Sequence, residues 1–409
     1  MKNGNNLLKK NVDLPRIKAF GSSLITLCEE MAEIFPGRRG LIEQIKYALL
    51  TRHHVMMFGL FGTGKTDLVN TFFSQILNAQ KSSFALSKFS TEAHVFGVPS
   101  VKVMREEGHL EYNTTDPGTI FQSEFVELDE FLDANAPLLR SMLGILNERV
   151  WKRGRNFAEC KLHTALASTN KDPVKEAARD DQLDAVIDRF LFQCRVDYLD
   201  DQDSRLKMYE KYLQGKTPST TIDYAEIAYA SGVVLSANQI TEPVIIETYD
   251  NITQEFAKGS KRTISDRRKC KLLQVVEANA LLYGRFEVHP EDILAVKWGL
   301  CYGDDSDSHT KFDNIAKPHI EEAKEKLAQD IDKLQVGYLE KVLSDLQNLQ
   351  NEQVDDGNYL TLTRRANKLQ EELEKIKPQL DSTRLMQKNV SDKLTRYKEQ
   401  LTRYTEEVK

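Results

Sequence analysis

Eight consecutive residues constrain this chain more than any others. Gly59-Leu60-Phe61-Gly62-Thr63-Gly64-Lys65-Thr66 fits the pattern G-x-x-x-x-G-K-[ST]. The apolar run Val55–Phe58 precedes it and a helical stretch, Asp67–Leu77, follows. A strand, a glycine-rich loop and a helix in that order form a phosphate cradle. Glycines let backbone N–H groups wrap phosphates, and the helix start adds its positive end. Gly59, Gly62, Thr63, Gly64, Lys65, Thr66 and Asp67 are therefore the expected nucleotide-binding residues. Lys65 reaches the β- and γ-phosphates, and the Thr66 hydroxyl is a ligand for Mg²⁺. The expected cofactors are ATP and Mg²⁺.

The second half of such a site is an apolar strand ending in acids. Phe125-Val126-Glu127-Leu128-Asp129-Glu130 supplies one, with Asp129 64 residues after Lys65. Asp129 is expected to hold Mg²⁺ and Glu130 to polarise the attacking water. An acid placed to activate water argues for hydrolysis rather than transfer to another substrate. Ala167-Ser168-Thr169-Asn170 ends a third strand, where Asn170 can orient the water. Arg189, in Asp188-Arg189-Phe190, stands just before a fifth apolar run and can stabilise developing phosphate charge. Ser265-Asp266-Arg267-Arg268 opens a helix with Ser265 as N-cap. Arg267 is the candidate there for a nucleotide-facing cation.

Apolar runs at Val55–Phe58, Phe84–Phe89, Phe125–Leu128, Thr164–Ser168 and Leu191–Val196 alternate with helical stretches. That alternation predicts a three-layer α/β domain with a mostly parallel sheet. From about Asp203 to Tyr302 the pattern becomes helical. Composition shifts again near residue 310. Of the 99 residues from Lys311 onward, 37 are charged, with the two signs nearly balanced, and Trp is absent. That is the composition of long solvated helices. Positions 362, 366, 369, 373, 376, 380, 383, 387, 390, 394, 397, 401 and 404 follow a 4-3 spacing. Eleven of the thirteen can be buried, all but Thr383 and Gln387, which is a coiled-coil-type seam. An earlier stripe runs from Leu327 to Leu349, and the turn signal Val354–Asn358 lies between. The expectation is an antiparallel helical hairpin, kinked or broken at Pro378, packing either on a partner or within its own domain.

The set resembles the AAA+ ATPases in order and spacing: phosphate loop, acid pair, Asn170, Arg189, then Arg267 in a helical lid. Within them it resembles the MoxR group, most of all its RavA branch, in Phe89–Gly97, Asn147-Glu148-Arg149, Ser265–Arg268 and Leu281–Arg285. Val98–Gly118 looks like that group's helix-2 insert hairpin. The resemblance implies Asn170 as sensor 1, Arg189 as a finger acting on a neighbour's ATP, and Arg267 as sensor 2. It also implies a hexameric ring, a von Willebrand factor A domain partner and chaperone-like remodelling of proteins. The expected organisation is 1–30 N-terminal helical segment, 31–202 AAA+ core with the insert near 97–118, 203–309 all-α lid and 310–409 helical arm. One departure stands out: relatives often read Ile-Asn-Arg-Ala after the acid pair, where this chain reads Phe131-Leu132-Asp133-Ala134.

Other classes fit less well. The chain has 56 Lys+Arg against 62 Asp+Glu and a net charge of −6, so its overall charge does not favour a nucleic-acid-translocating motor. That motor, and a nucleotide-gated scaffold with slow turnover, are the alternatives to a protein remodeller. The five cysteines are scattered without a C-x-x-C pair, which fits the reducing cytoplasm. Met1–Lys10 lacks the apolar stretch of a secretory signal, and no apolar run is long enough to span a membrane.

Overall fold

The computed structural model describes residues 12–98, 105, 112, 114–153, 156–236, 239–240, 242–260, 264–355, 358–376 and 381–407. Most of the expected insert hairpin, Lys261, Arg262, Asp356, Gly357 and Pro378 lie outside the described residues. Two compact units divide the chain, Met1–Pro318 and His319–Lys409.

The first unit is organised by a five-stranded parallel sheet of order β3-β4-β7-β1-β8. Its strands are β1 (Val55–Phe58), β3 (Lys81–Ala85), β4 (Phe125–Asp129), β7 (Thr164–Thr169) and β8 (Phe192–Arg195). All four residues of β1 and all six of β7 are buried, as strands covered on both faces require. The first helices are α1 (Leu14–Ile34), α2 (Arg39–Thr51) and α3 (Lys65–Ser74), the last starting inside the phosphate loop. A short strand β2 (Ile76–Leu77) pairs in parallel with β9 (Ile222–Asp223). Helix α4 (Glu92–Phe96) follows β3, and α5 (Ala136–Glu148) follows β4. An antiparallel pair, β5 (Val150–Arg153) and β6 (Asn156–Glu159), was not legible as a hairpin in the sequence. It seats Trp151 among Phe96, Tyr112 and Phe121, with ring centres 5.4–6.0 Å apart. Between β7 and β8 run α6 (Pro173–Ala177) and α7 (Asp181–Ile187).

Apart from β9, the unit after β8 is helical: α8 (Gln202–Gln214), α9 (Tyr224–Ser236), α10 (Pro243–Ser260), α11 (Asp266–Leu282), a 3₁₀ stretch (Pro290–Val296) and α12 (Lys297–Leu300). Ser265 caps α11, accepting from Arg268 N at 3.2 Å. The first helix packs on this late region. Arg16 pairs with Glu226 at 2.8 Å and stacks over Tyr229. A Cβ added at Gly21 would lie 2.3 Å from the Leu282 carbonyl, so glycine lets α1 and α11 approach. Helix α13 (Ser306–Asn351) begins here, with Phe312 buried against Phe256 at 5.6 Å. The composition change near 310 therefore precedes the boundary between units.

The second unit comprises the later part of α13 with α14 (Tyr359–Glu374) and α15 (Asp381–Glu407). Leu339, Val342, Leu346 and Leu349 share one core with Leu362, Leu369, Val390 and Leu394. The second arm of the expected hairpin is thus two helices, one ending at Glu374 and the other starting at Asp381, and they contact each other. Its heptad seam folds back on itself within one chain. Gln387, one of the two polar seam positions, donates to the Leu373 and Ile376 carbonyls at 2.9 Å each. The Leu373 carbonyl also accepts from Ile376 N at 3.2 Å, so Gln387 adds a second bond at the end of α14. Thr383 is buried.

Candidate nucleotide site

The C-terminal ends of β1, β4 and β7 bring the expected residues together. Gly59 has φ 142°, and a Cβ there would meet the Val196 carbonyl at 2.3 Å, so only glycine lets the loop leave β1 beside β8. Gly62 and Gly64 have φ 72° and 80°. Nothing lies within 4 Å of a Cβ built at either, so the glycines leave room for a ligand instead of packing neatly against protein. The Lys65 amine donates to Gly59 O at 3.1 Å, Leu60 O at 2.8 Å and Thr63 Oγ1 at 3.3 Å. Burial lowers its pKa, while Glu130 and Asp129 oppose that shift. Lysine and both acids thus lie within electrostatic reach of one another.

Asp129 ends β4 and accepts from the Ser168 hydroxyl on β7 and from Glu130 N at 3.1 Å. Glu130 adopts the left-handed conformation, φ 52°, uncommon without glycine. Its Oε1 accepts from the Asn170 amide, and its Oε2 is buried without a partner. Burial, reinforced by Asp129 and Asp133, raises the Glu130 pKa. An orphaned carboxylate oxygen, open glycines and a buried amine together fit a nucleotide with its hydrated cation. Among the described residues no group of three or more His, Cys, Asp or Glu is arranged to hold a metal alone. A Mg²⁺ site here would draw on the nucleotide's own phosphates, as Mg²⁺ sites commonly do.

The two expected arginines make their contacts elsewhere. Arg189 donates to Ala185 O at 2.9 Å, and its Nε is buried without a partner. Arg267 lies 3.7 Å from Asp188, and its charge, after burial, lowers the Arg189 pKa. Arg268 ties the lid to the sheet through Phe190 O at 3.3 Å, Leu191 O and Gly299 O at 2.8 Å. Asp67, on α3, pairs with Lys211 of α8.

The matched families agree with this geometry. Residues 22–227 match the family described as the MoxR domain in the MoxR-vWA-beta-propeller ternary systems, and residues 244–315 match the AAA lid domain. The chain belongs to the MoxR family of AAA+ ATPases. An uncharacterized protein of Methanocaldococcus jannaschii is 28% identical over 265 residues, 65% of this chain and 66% of the relative. The chain thus spans just under two thirds of that relative. The chaperone MoxR1 of Mycobacterium tuberculosis is 24% identical over 284 residues, 65% of this chain and 71% of that protein. A solved structure of a candidate ATPase from Cytophaga hutchinsonii shares the fold, with a TM-score of 0.51 and 18% identity over 68% of this chain and 86% of that one.

Three features of this MoxR-family site had no motif to reveal them. Arg38 donates to Thr63 O at 3.3 Å and Asp197 O at 2.6 Å, joining the phosphate loop to the segment after β8. Ser168 braces Asp129 from the neighbouring strand. The departure after the acid pair also has a structural meaning. Phe131 packs on Phe190 at 5.1 Å, and Asp133 pairs with Lys171 at 2.8 Å, anchoring the segment that follows Asn170. A cavity of about 890 Å³ adjoins the loop, lined among others by Arg38, Phe58, Asp172, Tyr198 and Tyr302. Among the described residues no helix is long and apolar enough to cross a membrane.

Proposed function

We propose that this chain binds ATP with Mg²⁺, hydrolyses it in a hexameric ring of its own copies, and uses the cycle to remodel a protein. The carrying observation is the Asp129–Glu130 pair at the end of β4, with Asn170 on Glu130 and Lys65 within electrostatic reach. Gly59, Gly62, Thr63 and Gly64 wrap the phosphates, and Lys65 leaves its loop carbonyls to meet them. Thr66 and Asp129 would hold Mg²⁺, which when bound would supply charge neutralisation at the phosphates. Glu130 accepts the proton of the attacking water while Asn170 fixes its Oε1. Asp67 opens α3 at the edge of the cradle. Arg189 works on a neighbouring copy's ATP. Arg267 acts as sensor 2 once the lid closes on nucleotide.

The units that do this work are the core, lid and helical arm expected from the sequence, in the cytoplasm. The matched MoxR domain is described from systems containing a vWA protein, which supports a vWA-domain partner. Glu130→Gln tests the reading. It should bind ATP with near-normal affinity while turnover drops by at least about 10²-fold; unchanged turnover would remove Glu130 from the role.

A further inference from the structure

Asp129, Glu130 and Asp133 put three acids within five residues. Asp133 closes the 3₁₀ turn after the acid pair, donating its backbone N–H to Glu130 O at 2.9 Å. That turn folds its side chain back towards Glu130. Burial and Asp129 raise the Glu130 pKa most, and contact with the Asp133 carboxyl raises it further. Carboxylates this close repel each other unless a cation takes up one of the charges.

Lys171 is that cation. Its amine lies 2.8 Å from Asp133 Oδ1 and donates to Leu132 O at 2.9 Å, so it holds both the acid and the backbone of the turn. Its own backbone is fixed, because Lys171 N donates to Thr169 Oγ1 at 3.1 Å and Thr169 is buried at the end of β7. Between the two stands Asn170, whose amide holds Glu130 Oε1. The end of β7 therefore grips the turn twice, by an amide on Glu130 and by an amine on Asp133. Stability does not explain the second grip. Both partners are 34% exposed, and ion pairs so open to water contribute little to folding. Phe131 already anchors the turn, fully buried against Phe190.

We propose that Lys171 and Asp133 are positioning residues for Glu130: Lys171 binds Asp133 and so keeps its charge from turning the Glu130 carboxylate away from the attacking water. The inference rests on the reading of Glu130 as the group that takes the water's proton. It makes the two residues unequal. Loss of Lys171 leaves an unpaired acid beside Glu130, whereas loss of the Asp133 charge leaves nothing to repel it. A plain tether behaves differently: losing either end does the same harm, and losing both does no less.

The test compares Lys171→Met, Asp133→Asn and the double variant in the full chain, by steady-state ATP hydrolysis, equilibrium ATP binding and urea unfolding. Lys171→Met should lower kcat at least about tenfold, with ATP affinity within about twofold and the unfolding midpoint unchanged. Asp133→Asn should lose less than about threefold, and adding it to Lys171→Met should recover at least about threefold. Lys171→Arg should keep most of the turnover, and Lys171→Gln repeats the comparison with a shorter polar side chain. Unchanged kcat in Lys171→Met and Lys171→Gln overturns the inference. So does a double variant no faster than Lys171→Met, which would make the pair a tether. Glu130→Gln, run in parallel, separates the two claims. If it loses turnover while Lys171→Met keeps it, only this inference fails. If Glu130→Gln turns over normally, the reading of Glu130 fails and this inference with it.

Discussion

Asn170 donates its side-chain amide to Glu130 Oε1, linking the end of β7 to the end of β4 across the sheet edge. The bond leaves Oε2 as the only oxygen of that carboxylate with no protein partner. One oxygen is thus held by the amide, and the carboxyl also faces Asp133. Asn170→Ala should lower turnover on the order of 10²-fold, the effect of losing orientation at a reacting group, with ATP affinity nearly unchanged. Steady-state hydrolysis and equilibrium ATP binding, measured together, decide it; equal losses in both would make Asn170 a binding residue.

Buried His54 and His163 and half-buried His53 predict an acid-sensitive fold. Burial holds His53 down to about 3 and His54 and His163 well below their usual value. Their folded pKa values are depressed, so their stabilisation is present above about pH 6.5 and is lost as pH falls below it. Glu277 opposes them, because burial raises it to about 7 and the folded state keeps its proton longer. Unfolding near pH 5.5 would therefore take up protons at the histidines and release one at Glu277, and the histidines outnumber it. Urea unfolding between pH 7.5 and 5 should show stability falling, and His163→Gln should make the fall shallower. A flat profile would contradict neutral buried histidines.

The helical unit from His319 should hold together within one chain. Tyr397 donates to Leu349 O at 2.9 Å, and Leu394 is fully buried in the shared core. Leu394→Ala should cost about 2–5 kcal/mol there. Amide exchange across 339–401 should speed up accordingly, independently of protein concentration, with ATP affinity unchanged. Protection that rises with concentration would mean a coiled coil between chains.

The loop-and-acid half of the candidate site was legible because its residues stand at strand ends. Lys65 and Thr66 follow β1 directly, and Asp129, Glu130 and Asn170 end apolar strands, so strand order alone gathers them. What was missed depends on long-range packing. Arg38 reaches the loop through backbone carbonyls that no motif encodes. The β5–β6 pair is masked in sequence by Lys152 and Arg153 within one strand. The tail's heptads were read with the correct inward face. A 4-3 pattern cannot tell a partner helix from a fold-back, and only the proline and polar Gln387 marked the break.

The central claim is that one chain's ATP is completed by another chain's Arg189. Subunits carrying Arg189→Ala can bind ATP but offer no finger, and Lys65→Ala subunits offer the finger but cannot hold ATP. The direct measurement is ATP hydrolysis by the two inactive variants mixed into verified joint assemblies. The account predicts that mixing restores activity, at interfaces where Arg189 of one variant meets the intact loop of the other. Joint assemblies with no recovered hydrolysis would contradict a shared site.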